Sequence, residues 1–290
     1  MARSDSQATV EPEAIVSARV SRKRTFLMCP PEYFTVSYAI NPFMDPTVPT
    51  DTVRALRQWE AVRQAYVELG HDVETLAPVE GLVDMVFAAN GGFTIDGRAY
   101  VARFAYPERA READSFRAWF GTHGFETHGS LVTNEGEGDF AFAGGVILAG
   151  YGFRSTLDSH RDLARIFGRE VLSLRLVDNR FYHLDVALTV LDSDAVDGPA
   201  RIAYLPSAFD ETSQELLAER FPDSILVSES EAAILALNSV SDGRNVVVAE
   251  AATDYIRDLT EAGYVPVPVD LSELLKGGGG VKCITQELRY

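Results

Sequence analysis

The sequence predicts an α/β fold: a five-bladed propeller of ββαβ units with pseudo-fivefold symmetry, closed by the N- and C-terminal segments. Three observations predict it. An apolar strand, a second strand, a helix and a third strand recur at intervals of roughly 45–50 residues. The copy nearest the N-terminus lacks its first strand. A strand-like segment with no unit of its own stands at the other end of the chain. A repeat completed across the two termini is a ring rather than a solenoid. No G-x-G-x-x-G loop follows a strand, which weighs against a doubly wound nucleotide-binding sheet.

The elements follow in order. Thr25 to Met28 reads as a strand, Asp51 to Leu69 as a helix stopped by Gly70, and Val73 to Leu76 as a strand. The second unit runs Met85 to Asn90, Ala99 to Arg103, a helix from Glu108 to Phe120, and Phe125 to His128. The third is clearest. Asp139 to Phe142 and Val146 to Ala149 form a hairpin around Gly144-Gly145. Leu157, Leu163 and Ile166 then recur at helical spacing within Ser155 to Phe167, before Val171 to Leu174. The fourth unit runs Phe181 to Leu191, Arg201 to Leu205, a helix from Glu211 to Arg220, and Ile225 to Val227. The fifth runs Ala233 to Ser239, Asn245 to Ala249, a helix from Thr253 to Ala262, and Val265 to Val269. Thr253 suits its N-cap and Gly263 its C-cap. Val281 to Gln286 then supplies the strand missing from the first unit.

The 290 residues are 46% hydrophobic and 24% charged, ample for a large core in one domain or two, and 24–290 is read as a single domain. The polar stretch 1–23 reads as a loose tail without a secretory h-region. No apolar run approaches the ~20 residues of a membrane span. Two cysteines and no leader suggest a reducing, cytoplasmic home. A net charge of −17 disfavours nucleic acid and anionic membranes as partners and suits a small cationic substrate. A homo-oligomer is left open.

Polar residues collect on the first strand of each unit, which would line the axis. They are Asp84 and Asn90, then Asn134-Glu135-Gly136-Glu137-Gly138-Asp139, Tyr182-His183-Leu184-Asp185, Asn238-Ser239 and Cys283. Cys283 follows the run Gly277-Gly278-Gly279-Gly280, where the backbone can crowd a ligand. Of the five histidines, His71, His123, His128 and His160 read as surface, and only His183 interrupts an apolar strand. A thiol, an imidazole and an acid converging from distant segments have the parts of a Cys-His-Glu arrangement. Metal binding is the competing use, but no C-x-x-C or H-x-x-x-H spacing is present, so no metal is assigned.

These residues resemble the guanidine-modifying superfamily of arginine deiminases, dimethylarginine dimethylaminohydrolases and amidinotransferases, whose fold is the pentein propeller. The resemblance runs from about Phe26 to the C-terminus. It is carried by Met28-Cys29-Pro30-Pro31 with Ala39-Ile40-Asn41-Pro42, Asp84-Met85-Val86-Phe87-Ala88-Ala89-Asn90, Glu135-Gly136-Glu137-Gly138-Asp139, Gly152-Phe153-Arg154, Phe181-Tyr182-His183-Leu184-Asp185 and Gly279-Gly280-Val281-Lys282-Cys283. It implies Cys283 as nucleophile, His183 as acid/base and Glu135 as the acid orienting His183. It also implies Asp84 and Asp185 as carboxylates facing the guanidinium, with Asn41 among the substrate-binding residues. Arg109 and Arg154 would hold the substrate α-carboxylate. No cofactor is implied.

The implied reaction is hydrolysis of arginine or an Nω-methylated arginine through a Cys283 thiouronium, giving citrulline and ammonia or (di)methylamine. Asn90 departs from the usual Asp and resembles the arginine dihydrolase branch, which releases ornithine, ammonia and CO2. The resemblance also admits an amidinotransferase, and the propeller by itself admits a non-catalytic binding module.

Overall fold

The computed structural model describes residues 19–193 and 200–290. Five three-stranded sheets share one plan: a first strand antiparallel to the middle one, and a third parallel to it. In chain order the strands are β1 (Thr25–Met28), β2 (Asp72–Thr75), β3 (Gly92–Ile95), β4 (Arg98–Val101), β5 (Glu126–His128), β6 (Phe140–Ala143), β7 (Val146–Tyr151) and β8 (Glu170–Arg175). They continue with β9 (Leu188–Asp192), β10 (Arg201–Tyr204), β11 (Ile225–Leu226), β12 (Val240–Ser241), β13 (Asn245–Ala249), β14 (Val265–Val269) and β15 (Gln286–Glu287). The helices are α1 (Thr52–Glu68), α2 (Glu112–Thr122), α3 (Leu157–Phe167), α4 (Glu211–Arg220), α5 (Glu229–Ala232) and α6 (Thr253–Glu261).

The first sheet has the order β15-β1-β2. Phe26 faces Glu287 and Leu27 faces Gln286 in antiparallel register. The C-terminal segment therefore completes the N-terminal unit. Asp51 caps α1 by accepting the Arg54 amide at 2.9 Å. The same helix buries Trp59, Val62 and Tyr66, each contributing about 1.5–3 kcal/mol. α6 differs from expectation: its N-cap is Ala252, one residue before Thr253, and its C-cap is Ala262, just before Gly263 with φ 82.

Four segments read as first strands are largely turns. In the second, fourth and fifth units and the closing one, the strand itself begins late: β3 at Gly92, β9 at Leu188, β12 at Val240 and β15 at Gln286. The 3-10 turns Ala88–Gly91 and Leu184–Val186 stand where strand was expected. The cause is burial. Met85, Val86 and Phe87 are all buried, as are Leu235, Ala236 and Leu237. An apolar run packed on every side looks the same in a turn as in a strand. The turns also bond to one another, Ala89 N–H to Cys283 O at 3.0 Å and Lys282 N–H to Asn238 O at 3.2 Å.

Residues 19–23, expected to belong to the loose tail, lie against the fifth sheet. The Arg19 guanidinium stands 3.7 Å from the Tyr264 ring centre, and Ser21 Oγ donates to Asp242 at 2.9 Å. The rest of the tail, 1–18, lies outside the described residues.

Two histidines read as surface are buried. His71 accepts the Arg24 amide at 3.2 Å and places Nε2 3.4 Å from Asp242. His160 bonds Ser173 Oγ at 2.7 Å. Each lies on a helix or at its end, where polar neighbours in sequence hid an inward-facing position. Burial lowers the His160 imidazole from 6.5 to about 4. The unfolded chain therefore binds a proton that the folded chain refuses, and stability should fall as pH drops from 6.5 toward 4. Urea midpoints at the two ends of that window should differ less in His160→Asn than in the parent; an unchanged difference contradicts this.

Candidate active site

The turns that lead into the first strands carry the polar residues to one place. Asn41, Asp84, Asn90, Arg109, Arg154, His183 and Cys283 all line a pocket of about 260 Å³. Glu135 lies behind His183, and Asp185 lies against the sulfur of Cys283. The seven lining residues, spread over most of the chain, thus meet at one pocket, while Asp185 lines a different cavity with Lys282 and Thr285.

The glycine run before Cys283 is needed for close approach. Gly278 has φ 83, and a Cβ there would stand 2.6 Å from Asn41 Oδ1. A Cβ on Gly279 would stand 2.3 Å from the Phe87 ring. Asn41 in turn donates to Gly277 O at 3.0 Å. Substitution of Gly279 by alanine should therefore displace the Cys283 turn or the Phe87 ring.

Cys283 Sγ stands 3.2 Å from Asp185 Oδ2 and 3.2 Å from Asn238 Nδ2. Burial pushes the thiol well above its ordinary value, and the Asp185 charge and its accepted hydrogen bond add to this. The thiol donates to Asp185 Oδ2. Burial likewise lifts Asp185 to about 6, against the pull of His183 and the thiol.

His183 Nε2 lies 2.7 Å from Glu135 Oε2. That oxygen also accepts Arg154 Nη1 at 3.0 Å, and Glu135 Oε1 accepts the Ala105 amide at 2.9 Å. Burial opposes the charge of Glu135, but the hydrogen bond from His183 and the Arg154 guanidinium outweigh it and hold the carboxyl well below its usual range. Asp139 anchors both neighbouring turns, accepting the Ser155 amide at 3.0 Å and the Leu184 amide at 3.2 Å.

Asp84 accepts the Tyr38 hydroxyl at 2.8 Å through Oδ2. Burial raises its carboxyl, with Arg109 and Tyr38 opposing. Asp84 Oδ1, Asp185 Oδ1 and His183 Nδ1 are buried and have no hydrogen-bond partner among the described residues. Such atoms are costly unless a ligand meets them.

Neither arginine presents a whole free fork. Arg109 donates to Glu112 from Nε at 3.1 Å and from Nη2 at 2.8 Å, and to Asn90 Oδ1 from Nη1 at 2.7 Å. Burial opposes its charge, yet Glu112 holds its proton more firmly than usual. Arg154 is shared between Glu135 and Ile40 O, the latter at 2.7 Å. Sequence reasoning assigned no role to Glu112, Tyr38 or Asn238. Asn238 was visible only as a polar residue on an axial segment; Glu112 and Tyr38 carry no sequence signal that separates them from surface residues.

No family model matches the chain. Among solved structures it is similar to the substrate-bound N-terminal domain of ArgZ, an arginine dihydrolase from cyanobacteria. The two share 35% identity and a TM-score of 0.87 over 92% of this chain and 98% of that one. Fold and site together therefore define a guanidine-modifying enzyme. Among curated relatives it is 48% identical to the N(G),N(G)-dimethylarginine dimethylaminohydrolase of Mycobacterium tuberculosis, over 93% of this chain and 87% of that protein. It is also 37% identical to the bifunctional arginine dihydrolase/ornithine cyclodeaminase ArgZ of Synechocystis, spanning only 37% of that protein's length. The chain belongs to the dimethylarginine dimethylaminohydrolase family of guanidine-modifying hydrolases.

Proposed function

We propose that the protein hydrolyses the guanidino C–N bond of arginine or an Nω-methylated arginine through a thiouronium on Cys283. The observation that carries this is the trio of partnerless buried atoms beside the thiol. Two carboxylate oxygens, Asp84 Oδ1 and Asp185 Oδ1, suit guanidinium N–H donors, and His183 Nδ1 suits the leaving nitrogen. A cation entering this pocket also offsets the Asp185 charge that adds to burial in favouring the Cys283 thiol.

The Cys283 thiol gives its proton to His183 as the sulfur attacks the guanidino carbon, and His183 passes that proton to the leaving amine as its C–N bond breaks. Water then adds to the thiouronium carbon, giving up a proton to His183, and the C–S bond breaks to regenerate the thiolate. Citrulline and ammonia or (di)methylamine result. Glu135 orients the imidazole and balances its charge. Arg154 and Arg109 retain N–H groups for the substrate α-carboxylate, since a guanidinium has five. The fold reading in its finer form, a closed ring with pseudo-fivefold symmetry forming one domain over 24–290, belongs to the same proposal, as does a cytoplasmic setting.

Asn90 favours a second reading, an arginine dihydrolase releasing ornithine, ammonia and CO2. Its Oδ1 is taken by Arg109, so the amide turns a neutral N–H donor elsewhere, toward Glu135 O at 3.4 Å. A donor of this kind suits an uncharged ureido oxygen, whereas a guanidinium presents only N–H donors of its own. Incubation with arginine and with dimethylarginine, followed by identification of amino acids and amines, separates the readings. Asn90→Asp should shift any ornithine toward citrulline; an unchanged product ratio contradicts the role given to Asn90.

The acid limb of kcat/KM should lie near the Asp185 value of about 6, because protonation removes a carboxylate that faces the cation. A rate flat well below that pH would remove Asp185 from the binding set.

A further inference from the structure

Asn238 precedes β12 and is buried to 1% exposure. Its four polar contacts fix which end of the amide is which. Oδ1 accepts the backbone N–H groups of Gly280 and Cys283, each at 3.0 Å. Only the carbonyl end can take two amide donors, so the other end is the NH2 group. That nitrogen stands 3.0 Å from Asp185 O and 3.2 Å from Cys283 Sγ. One side chain therefore holds the nucleophile's own turn and aims an N–H at its sulfur.

We propose that Asn238 is a further catalytic residue, donating a hydrogen bond that holds the Cys283 sulfur as a thiolate. This rests on the reading of Cys283 as the nucleophile. The two polar side chains bonded to the sulfur act in opposite senses. Asp185 Oδ2 can only accept, and so favours the protonated thiol. The Asn238 N–H can only donate, and so favours the anion; a hydrogen bond to a charged partner is the stronger kind. Burial and Asp185 raise the thiol, while the Gly280 backbone N–H and, after it, the Asn238 contact lower it. Other ionisable groups facing the sulfur are His183 and Tyr182 on the fourth turn, with Asp84, Arg109 and Arg154 across the pocket. None of them supplies a hydrogen bond to the sulfur among the described residues.

The test is the pH dependence of Cys283 alkylation by iodoacetamide, read by peptide mass spectrometry without substrate. Asn238→Asp keeps the acceptor for both backbone N–H groups and replaces the donor by an oxygen. Asn238→Ala removes the donor without adding charge. Both variants, checked as folded by circular dichroism, should shift the alkylation midpoint upward by about one pH unit, a tenfold loss of thiolate. kcat should fall about tenfold or more, with KM changed less than about threefold. An unshifted midpoint in either folded variant overturns the proposal, even where activity falls. A second measurement leaves Asn238 itself unchanged. The Asn238 side-chain amide resonances should move as Cys283 ionises and stay fixed in Cys283→Ala; amide signals blind to the thiol overturn the proposal. Alkylation uses no guanidine, so a protein inert toward arginine and dimethylarginine would sink the substrate reading while leaving the Asn238 result to stand.

Discussion

Cys283→Ser should lower kcat toward arginine or dimethylarginine by on the order of 10⁴-fold or more, with the fold retained. The swap keeps a small buried group that can still donate to Asp185 Oδ2, the contact the thiol makes at 3.2 Å. It removes the soft nucleophile, and a serine hydroxyl has no group here built to deprotonate it. His183 Nε2 is committed to Glu135 at 2.7 Å, and its free Nδ1 is assigned to the leaving nitrogen and the water. Cys29 cannot substitute. Burial and the nearby Glu112 charge raise its thiol far above the ordinary range, and it lies in the core. Parent-like turnover by Cys283→Ser, measured as citrulline or ornithine formed, contradicts the nucleophile assignment.

Glu135→Gln should cost both activity and stability. Glu135 is fully buried and serves His183 and Arg154 from a single oxygen. Removing its charge strands a buried guanidinium, and breaking a buried pair on one side typically costs about 3–5 kcal/mol. The imidazole also loses the anion that stabilises its protonated form during transfer. Positioned acid–base help is worth roughly 10²–10⁴-fold, and most of it should go. The pH signature has a definite sign. Glu135 in the folded protein sits well below its ordinary 4.5, so its contribution is fully present above that pH and is lost as pH falls through the folded value. Denaturant unfolding of the parent should therefore weaken steeply in acid, and the variant should show a shallower slope. A variant as stable and as active as the parent would mean that the Glu135–His183 contact does neither job.

What was legible in the sequence follows from where each residue's environment comes from. α4 was read to the residue, and its cap is local, Asp210 accepting the Ser213 amide. That the C-terminal segment completes the first sheet was legible because the repeat left one strand missing, although the strand lies at Gln286–Glu287 and not over Val281 to Gln286. The site residues were legible as polar interruptions of apolar runs. Their backbone was not: Met85–Asn90 and Phe181–Val186 are buried turns, and hydrophobicity does not separate a buried turn from a buried strand. The buried histidines were missed because Asp242 and Ser173, which meet them, are remote or unmarked in sequence. Glu112 was missed for the same reason. It reads as an ordinary acid in the first turn of α2, yet it occupies most of the Arg109 fork.

The most direct test is acid quenching of the working enzyme with dimethylarginine, followed by mass spectrometry of the peptide that contains residue 283. A covalent adduct on that cysteine, equal to the substrate less dimethylamine, is the predicted result. Product accumulating at full rate while the thiol stays unmodified throughout, or an adduct found only elsewhere, would contradict it.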